Sequence, residues 1–256
     1  MTEEVATPRA RFGAPHRHFR RVGSTNTVAR ELAAAGAPHG TVVTAAEQTA
    51  GRGRQGRTWT APPGSALLYS AVLRPIEPRH SVLPLAVALA VCETAEALRP
   101  GVGCKVKWPN DIHLDGRKLA GILIEARPQD GWAVVGVGVN LTIAADEFPE
   151  ELRDRATSLF PSSSAVPYGP VGSIRNSWAE GAAEALSGRL EVWLEADAGA
   201  VLGAWRARDA LIGREVSWDK GSGVADGVDE RGYLLVRLAD GGRVALGAGE
   251  VHLTGF

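Results

Sequence analysis

The sequence predicts an α+β protein, a large mixed α/β domain with a small all-β unit appended. Three observations carry this. A long Ala- and Leu-rich stretch, Ser81 to Leu98, reads as a buried helix, and helical patterning returns from Ser173 to Leu211. Between them, apolar strands follow one another closely. After Gly213 the periodicity changes to short alternating runs broken by Gly and Asp, the pattern of a β-barrel or sandwich of about 45 residues. A chain of 256 residues has room for one large and one small domain, with a core that needs no disulfide or structural metal. The expected boundaries are a mobile polar tail over 1–14, a main domain over 15–211 and the β unit over 212–256.

Each element has its own signal. Ser24 or Asn26 can cap a helix running through Thr27 to Leu32 and stopping near Gly36. Thr41 to Ala45 and Ser65 to Leu73 read as strands. Val102 to Trp108 is a third, and Ile112–Leu114 meets Leu119–Ala126 across Asp115-Gly116, a strong hairpin signal. Ala133 to Leu141 forms another apolar strand, and 161–170 a loop. Trp178, Leu186, Leu190, Trp193, Leu194, Val201, Leu202 and Trp205 supply the apolar face of the later helical stretch.

Composition excludes several classes. Hydrophobic residues are 45% and charged residues 22%, as in ordinary globular proteins, and a formal net charge of −1 supplies no overall field toward nucleic acid or anionic membrane. Two cysteines, Cys92 and Cys104, lack the number and spacing of a disulfide framework or zinc site and read as reduced core residues. The N-terminal stretch lacks the apolar core of a signal peptide, and no uninterrupted run of about 18 apolar residues occurs. The expectation is a cytoplasmic protein that binds neither membrane nor nucleic acid.

Four stretches carry chemistry. Glu47 to Trp59 places Arg52, Arg54 and Arg57 within seven residues without an acid, interleaved with Gly51, Gly53 and Gly56. Such a loop offers guanidinium forks and backbone amides to a carboxylate or phosphate. It is not a Walker A loop, and by itself it reads equally well as a solvated basic loop. Lys107-Trp108-Pro109-Asn110-Asp111 is followed by Arg117 to Glu125, with Lys118 at the start of the hairpin's return strand. Gly136-Val137-Gly138-Val139-Asn140 is too short for a dinucleotide fingerprint and reads as a strand whose glycines admit another backbone. Ser24-Thr25-Asn26 offers three hydrogen-bonding side chains, or only a helix cap.

Together, in order and spacing, the four stretches resemble the biotin protein ligases. The resemblance runs from about Val22 to the end, with Gly247 to Val251 similar to that family's C-terminal domain. It implies the mixed sheet of the biotin/lipoate ligase type with an SH3-like β-barrel behind it. The activity implied is formation of biotinyl-5′-AMP from biotin and ATP, as MgATP, then transfer of biotin to a lysine of a biotin carboxyl carrier domain.

By the same resemblance Lys118 and Arg54 are catalytic, and no residue is a dedicated metal ligand. Biotin would be held by Ser24, Thr25, Asn26, Gln48, Gly51, Arg52, Gly53, Arg54 and Lys118. ATP would be held by Arg54, Arg57, Trp59, Asn110, Asp111, Lys118 and Asn140. The assembly implied is a monomer or homodimer.

Two departures stand out. Gln55 occupies a position where many relatives carry arginine, and the motifs begin too early for the DNA-binding domain of bifunctional members. Two other readings compete. A lipoate or octanoyl ligase should carry Arg-Arg-x-Ser-Gly-Gly-Gly where this chain has Gly-Arg-Gly-Arg. A nucleic-acid-binding protein should cluster aromatic and basic residues, which this chain does not.

Overall fold

The computed structural model describes residues 12–161, 171–247 and 251–253, with the side chains of 171–178 left aside. The expected tail over 1–11, the loop over 162–170, the face of Trp178 and most of the Gly247–Val251 stretch lie outside the described residues. Of the expected tail, residues 12–14 are described. Phe12 is buried in the main core, its backbone N–H donating to Glu191 Oε1 at 2.8 Å.

Seven strands build the main sheet: β1 (His16–Phe19), β2 (Val42–Ala45), β3 (Ala66–Leu73), β4 (Cys104–Lys107), β5 (Asp111–Leu114), β6 (Arg117–Arg127) and β7 (Trp132–Asn140). Their order is β1-β2-β3-β7-β6-β5-β4; β1 pairs parallel with β2 and all other pairs are antiparallel. Helix α1 (Thr25–Ala34) covers one face, meeting β2, β3 and β7 through Ala29, Ala33, Val43, Val72 and Val134. Helices α2 (Leu83–Leu98), α3 (Val171–Glu195) and α4 (Ala198–Arg206) belong to the core on the other face.

Alternation along the strands decides which face receives what. On β3 and β7 the odd-numbered Leu67, Tyr69, Ala71, Leu73, Val135, Val137 and Val139 enter the larger core. The even-numbered Ser70, Gly136 and Gly138 therefore share the face of α1. On β6 the phase is reversed: Ala120 and Ile122 are core, so Gly121, Leu123 and Glu125 lie on the α1 face. That face, beyond the end of α1, is where the polar motifs gather.

Two sequence expectations change. Strand β1, in the polar run His16-Arg17-His18-Phe19, was not expected; it is an edge strand largely open to solvent. The single helical stretch to Leu211 is two helices, broken where Asp197 caps α4 by accepting from Ala200 N–H at 2.9 Å, and ending at Arg206. The stretch Pro78–Leu98 passes by length and composition for a membrane span, but 67% of its most apolar window is buried and its helix is the centre of the main core.

The C-terminal unit is an SH3-like antiparallel sheet ordered β11-β10-β9-β8-β12, from β8 (Glu215–Trp218), β9 (Gly221–Val228), β10 (Leu234–Arg237), β11 (Arg243–Leu246) and β12 (His252–Leu253). It packs on the main domain: Val216, Ala225, Leu234 and Val236 join the core of α2 and α4. Trp108 Nε1 donates to Gly232 O at 3.0 Å, and Arg206 Nη2 to Val228 O at 3.2 Å.

Candidate active site

The floor is made of strand glycines. A Cβ on Gly136 would lie 2.0 Å from Asn26 Oδ1, and one on Gly138 would lie 2.5 Å from Trp59 Cε2. Gly121, opposite Gly138 in the ladder, also faces Trp59, at 3.1 Å from Cζ3. The expectation that these glycines admit a backbone is corrected: they admit an amide and an indole. A close backbone approach occurs instead at Gly51, where a Cβ would meet Trp59 O at 2.2 Å. The indole lies in this groove with its Nε1 buried and without a hydrogen-bond partner among the described residues.

At one end of the floor is a connected polar cluster. Gln48 Oε1 accepts from Thr25 N at 2.8 Å and from Thr25 Oγ1 at 2.9 Å. Ser70 Oγ lies 2.8 Å from Thr25 Oγ1 and 2.6 Å from Asn26 Oδ1, and its one proton serves one of them at a time. Asn26 Nδ2 donates to Leu123 O and Glu125 Oε2, at 3.3 and 3.1 Å. Ser24 stands at the N-cap of α1, but its hydroxyl makes no capping bond. Thr25 and Asn26 thus spend their side chains on the sheet, and Ser70, which carried no motif signal, ties them together.

Lys118 reaches this face through an irregularity. Strict alternation would place it with Ala120 and Ile122 in the core, but the β5–β6 register shifts so that Ile112 pairs with Ala120 and His113 with Lys118. The extra residue on β6 is a bulge that turns Lys118 to the site. Its Nζ lies 3.5 Å from the Cβ position of Gly121, 5.9 Å from the Trp59 ring centre and 2.7 Å from Asp111 Oδ1. Backbone bonds to Arg155 O and from Thr157 N fix the residue. Burial lowers the pKa of its cross-strand partner His113, so a neutral imidazole stands beside the ammonium at neutral pH. The Asp115-Gly116 turn has φ of 51° and 77°, as a tight hairpin requires.

The arginine loop crosses above. Gln55 (φ 54°) and Gly56 (φ 75°) turn it back on itself, and Gly53 N donates to Arg57 O at 2.7 Å. Gln55 is exposed. Arg52 pairs with Glu125 at 3.1 Å, while Arg54 Nη1 donates to Asn110 Oδ1 at 3.0 Å. Arg54, Arg57, Lys107, Asn110, Asp111 and Val251 are among the residues lining one cavity, so the loop, the β4–β5 turn and the C-terminal unit meet there. Asn140 sits apart from it: its Nδ2 donates to Thr157 O at 3.0 Å, bracing the segment that holds Lys118.

Glu125 was not anticipated. It collects Asn26, Arg30 and Arg52 on one carboxylate. No group of three His, Cys, Asp or Glu side chains suited to a metal ion occurs among the described residues.

Comparison with known proteins gives the family. Residues 18–141 match the biotin/lipoate A/B protein ligase family and residues 212–253 the biotin protein ligase C-terminal domain. The biotin–[acetyl-CoA-carboxylase] ligase of Mycobacterium tuberculosis is 37% identical over 245 residues, covering 90% of this chain and 86% of that protein. The enzyme of the same name from Paracoccus denitrificans is 32% identical over 256 residues, covering 92% and 99%. The bifunctional ligase/repressor BirA of Bacillus spizizenii is 42% identical over 147 residues, 56% of this chain, and the match spans 45% of its length. Among solved structures, the biotin protein ligase of Aquifex aeolicus in complex with biotin and ATP has a TM-score of 0.73 at 28% identity, covering 93% of this chain and 97% of that one. By its polar cluster, its strand lysine, its arginine loop and these full-length relatives, the chain belongs to the biotin protein ligases.

Proposed function

We propose that the chain joins biotin to ATP as biotinyl-5′-AMP and then transfers biotin to a lysine of a biotin carboxyl carrier domain. The observation that carries this is the Lys118 ammonium, 2.7 Å from Asp111 of the cavity lined by Arg54, Arg57 and Lys107, on the sheet face that also carries the Thr25–Gln48 cluster. That arrangement suits a reaction between two anions.

Thr25, Gln48, Ser24 and Asn26, with the backbone of Gly51, Arg52 and Gly53, hold the ureido ring. The biotin carboxylate oxygen attacks the α-phosphorus and pyrophosphate leaves. Lys118 and Arg54 offset the charge that builds where carboxylate and phosphate meet. Arg57, with Asn110 alongside, takes the triphosphate and nucleoside. Trp59 forms the wall between the two substrates, and Asn140 acts through the segment it braces. Asp111 is the carboxylate in the cavity, paired with Lys118, and would be the residue to help hold the Mg²⁺ of MgATP, which would offset phosphate charge. The carrier amine then attacks the mixed anhydride and AMP departs. The loop excludes water from the anhydride in the interval.

In this reading residues 15–211 form the catalytic domain and 212–256 close the nucleotide side through Val251. The test is incubation with biotin, MgATP and a carrier domain, followed by mass measurement of the carrier. One biotinyl group per carrier is expected; an unmodified carrier overturns the proposal. A parallel incubation with lipoate or octanoate should leave the carrier unchanged, and modification in that arm alone would assign the chain to the lipoate branch of the family.

A further inference from the structure

Glu125 follows Gly121 and Leu123 on the site face of β6. Its side chain is 21% exposed, and three groups from three elements converge on it. Arg30 Nη1 of α1 lies 3.2 Å from Oε1, Arg52 Nη1 of the loop lies 3.1 Å from Oε1 and 3.2 Å from Oε2, and Asn26 Nδ2 lies 3.1 Å from Oε2. Ser70 fixes the Asn26 amide from the opposite side at 2.6 Å from Oδ1, so Nδ2 is aimed at an acceptor. Gly136 leaves this amide its space.

We propose that Glu125 is the anchor of a latch that holds the arginine loop shut through Arg52 and so sets how long the activated intermediate stays in the site; this rests on the biotin-ligase reading above. Arg52, Arg54 and Arg57 repel one another, and the loop's backbone bonds Gly53–Arg57, Arg57–Arg54 and Trp59–Gly51 close within the loop itself. Among the loop's side-chain ties to its surroundings are Arg54–Asn110, to the β4–β5 turn, and Arg52–Glu125, to the sheet, and the second joins opposite charges. Glu125 touches the loop and Asn26, not the reacting atoms, so it is a positioning residue. Its carboxylate serves two arginines at once, and an amide of the same shape would keep an acceptor for Asn26 while losing the charge that draws both guanidiniums.

The test compares the full chain as wild type, Glu125→Gln, Arg52→Gln and the double variant. The first readout is trypsin cleavage after Arg54 and Arg57 in the ligand-free protein under native conditions, with thermal melting to separate loop opening from global unfolding. The second is escape of biotinyl-AMP, formed in situ from biotin and MgATP, read as biotin acquired by a bystander protein. Glu125→Gln should be nicked faster at an unchanged melting temperature and release adenylate roughly tenfold faster, the loss expected for a hydrogen bond between charged groups. The double variant should be no leakier than the worse single, because both changes open one latch. A wild-type rate for Glu125→Gln in either readout overturns the proposal, as do effects that multiply in the double variant. A wild type that forms no adenylate would instead refute the ligase reading, and the ligand-free cleavage comparison would still decide the latch.

Discussion

The strand-borne and loop-borne halves of the site place their charges by different means. Lys118 is fixed by a β-ladder, a bulge and two backbone bonds to the 155–157 segment, so its ammonium is set when the sheet forms. Arg52 and Arg54 hang from a glycine-rich turn and reach out to the side chains of Glu125 and Asn110. Glycine raises the entropy lost when such a loop orders, so its closed geometry is a weaker commitment than that of a strand. A reaction that must admit biotin, hold a hydrolysable anhydride and later expose it to a carrier needs both kinds of part. The fixed half can hold the reacting charge, and the conditional half can control access.

If that division is right, damage to the two halves should differ in kind. Lys118→Ala should give the largest effect, a loss on the order of 10³-fold in adenylate formation with an unchanged circular dichroism spectrum, since it removes a preset cation from developing charge. Pyrophosphate exchange within a few-fold of wild type would remove Lys118 from the chemistry. Gly136→Ala attacks the floor: its Cβ would enter the Asn26 amide, 2.0 Å from Oδ1, and disturb the Ser70–Thr25–Gln48 chain. Overpacking of this kind costs about 1–3 kcal/mol. Expressed on biotin binding, that is a rise in KM of roughly five- to 150-fold, and an unchanged KM would separate Asn26 from biotin recognition. Arg54→Gly, in the loop, should instead leave adenylate formation measurable while bystander biotinylation rises roughly tenfold, as a charge-assisted tie is lost. Equal bystander labelling by wild type and variant would end the distinction between the halves.

The motifs named the loop, Lys118 and the Thr25 cluster because those residues combine unusual types in a fixed order. What they could not convey was the face on which each side chain emerges. Period two along β6 argues Lys118 into the core, and only the register shift at Ile112/His113 reverses it. Gly136 and Gly138 were legible as close-approach positions, but not what approaches, because Asn26 and Trp59 arrive from distant sequence. Ser70 belongs to no motif, and Glu125, the last residue of the Lys118 stretch, carried no expected role; a serine in an apolar strand and an acid near a strand end are ordinary, although Glu125 shares odd-numbered spacing with Gly121 on the same strand. Strand β1 was missed because an edge strand with three exposed polar residues shows no apolar alternation. The break before α4 rests on one capping aspartate inside an otherwise continuous helical pattern.

The smallest expected effect lies where both halves meet the C-terminal unit. Trp108 precedes Pro109 in the turn that presents Asn110 and Asp111, and its buried indole N–H donates to Gly232 O across the junction. Trp108→Phe keeps an aromatic ring in the core but removes that donor, leaving a carbonyl in poor company. The loss of one neutral hydrogen bond is worth about 1 kcal/mol, a fall in melting temperature of roughly 2–4 °C for a chain of this size. Val251 of the C-terminal unit lines the same cavity as Arg54, Arg57 and Asn110, so loosening the junction should also raise the KM for ATP by a few-fold while leaving that for biotin alone. The asymmetry between the two substrates is the informative readout, because a general loss of stability would move both together. Equal changes in the two constants, or none in either, would mean that the C-terminal unit bears on the fold of the site without shaping its nucleotide side.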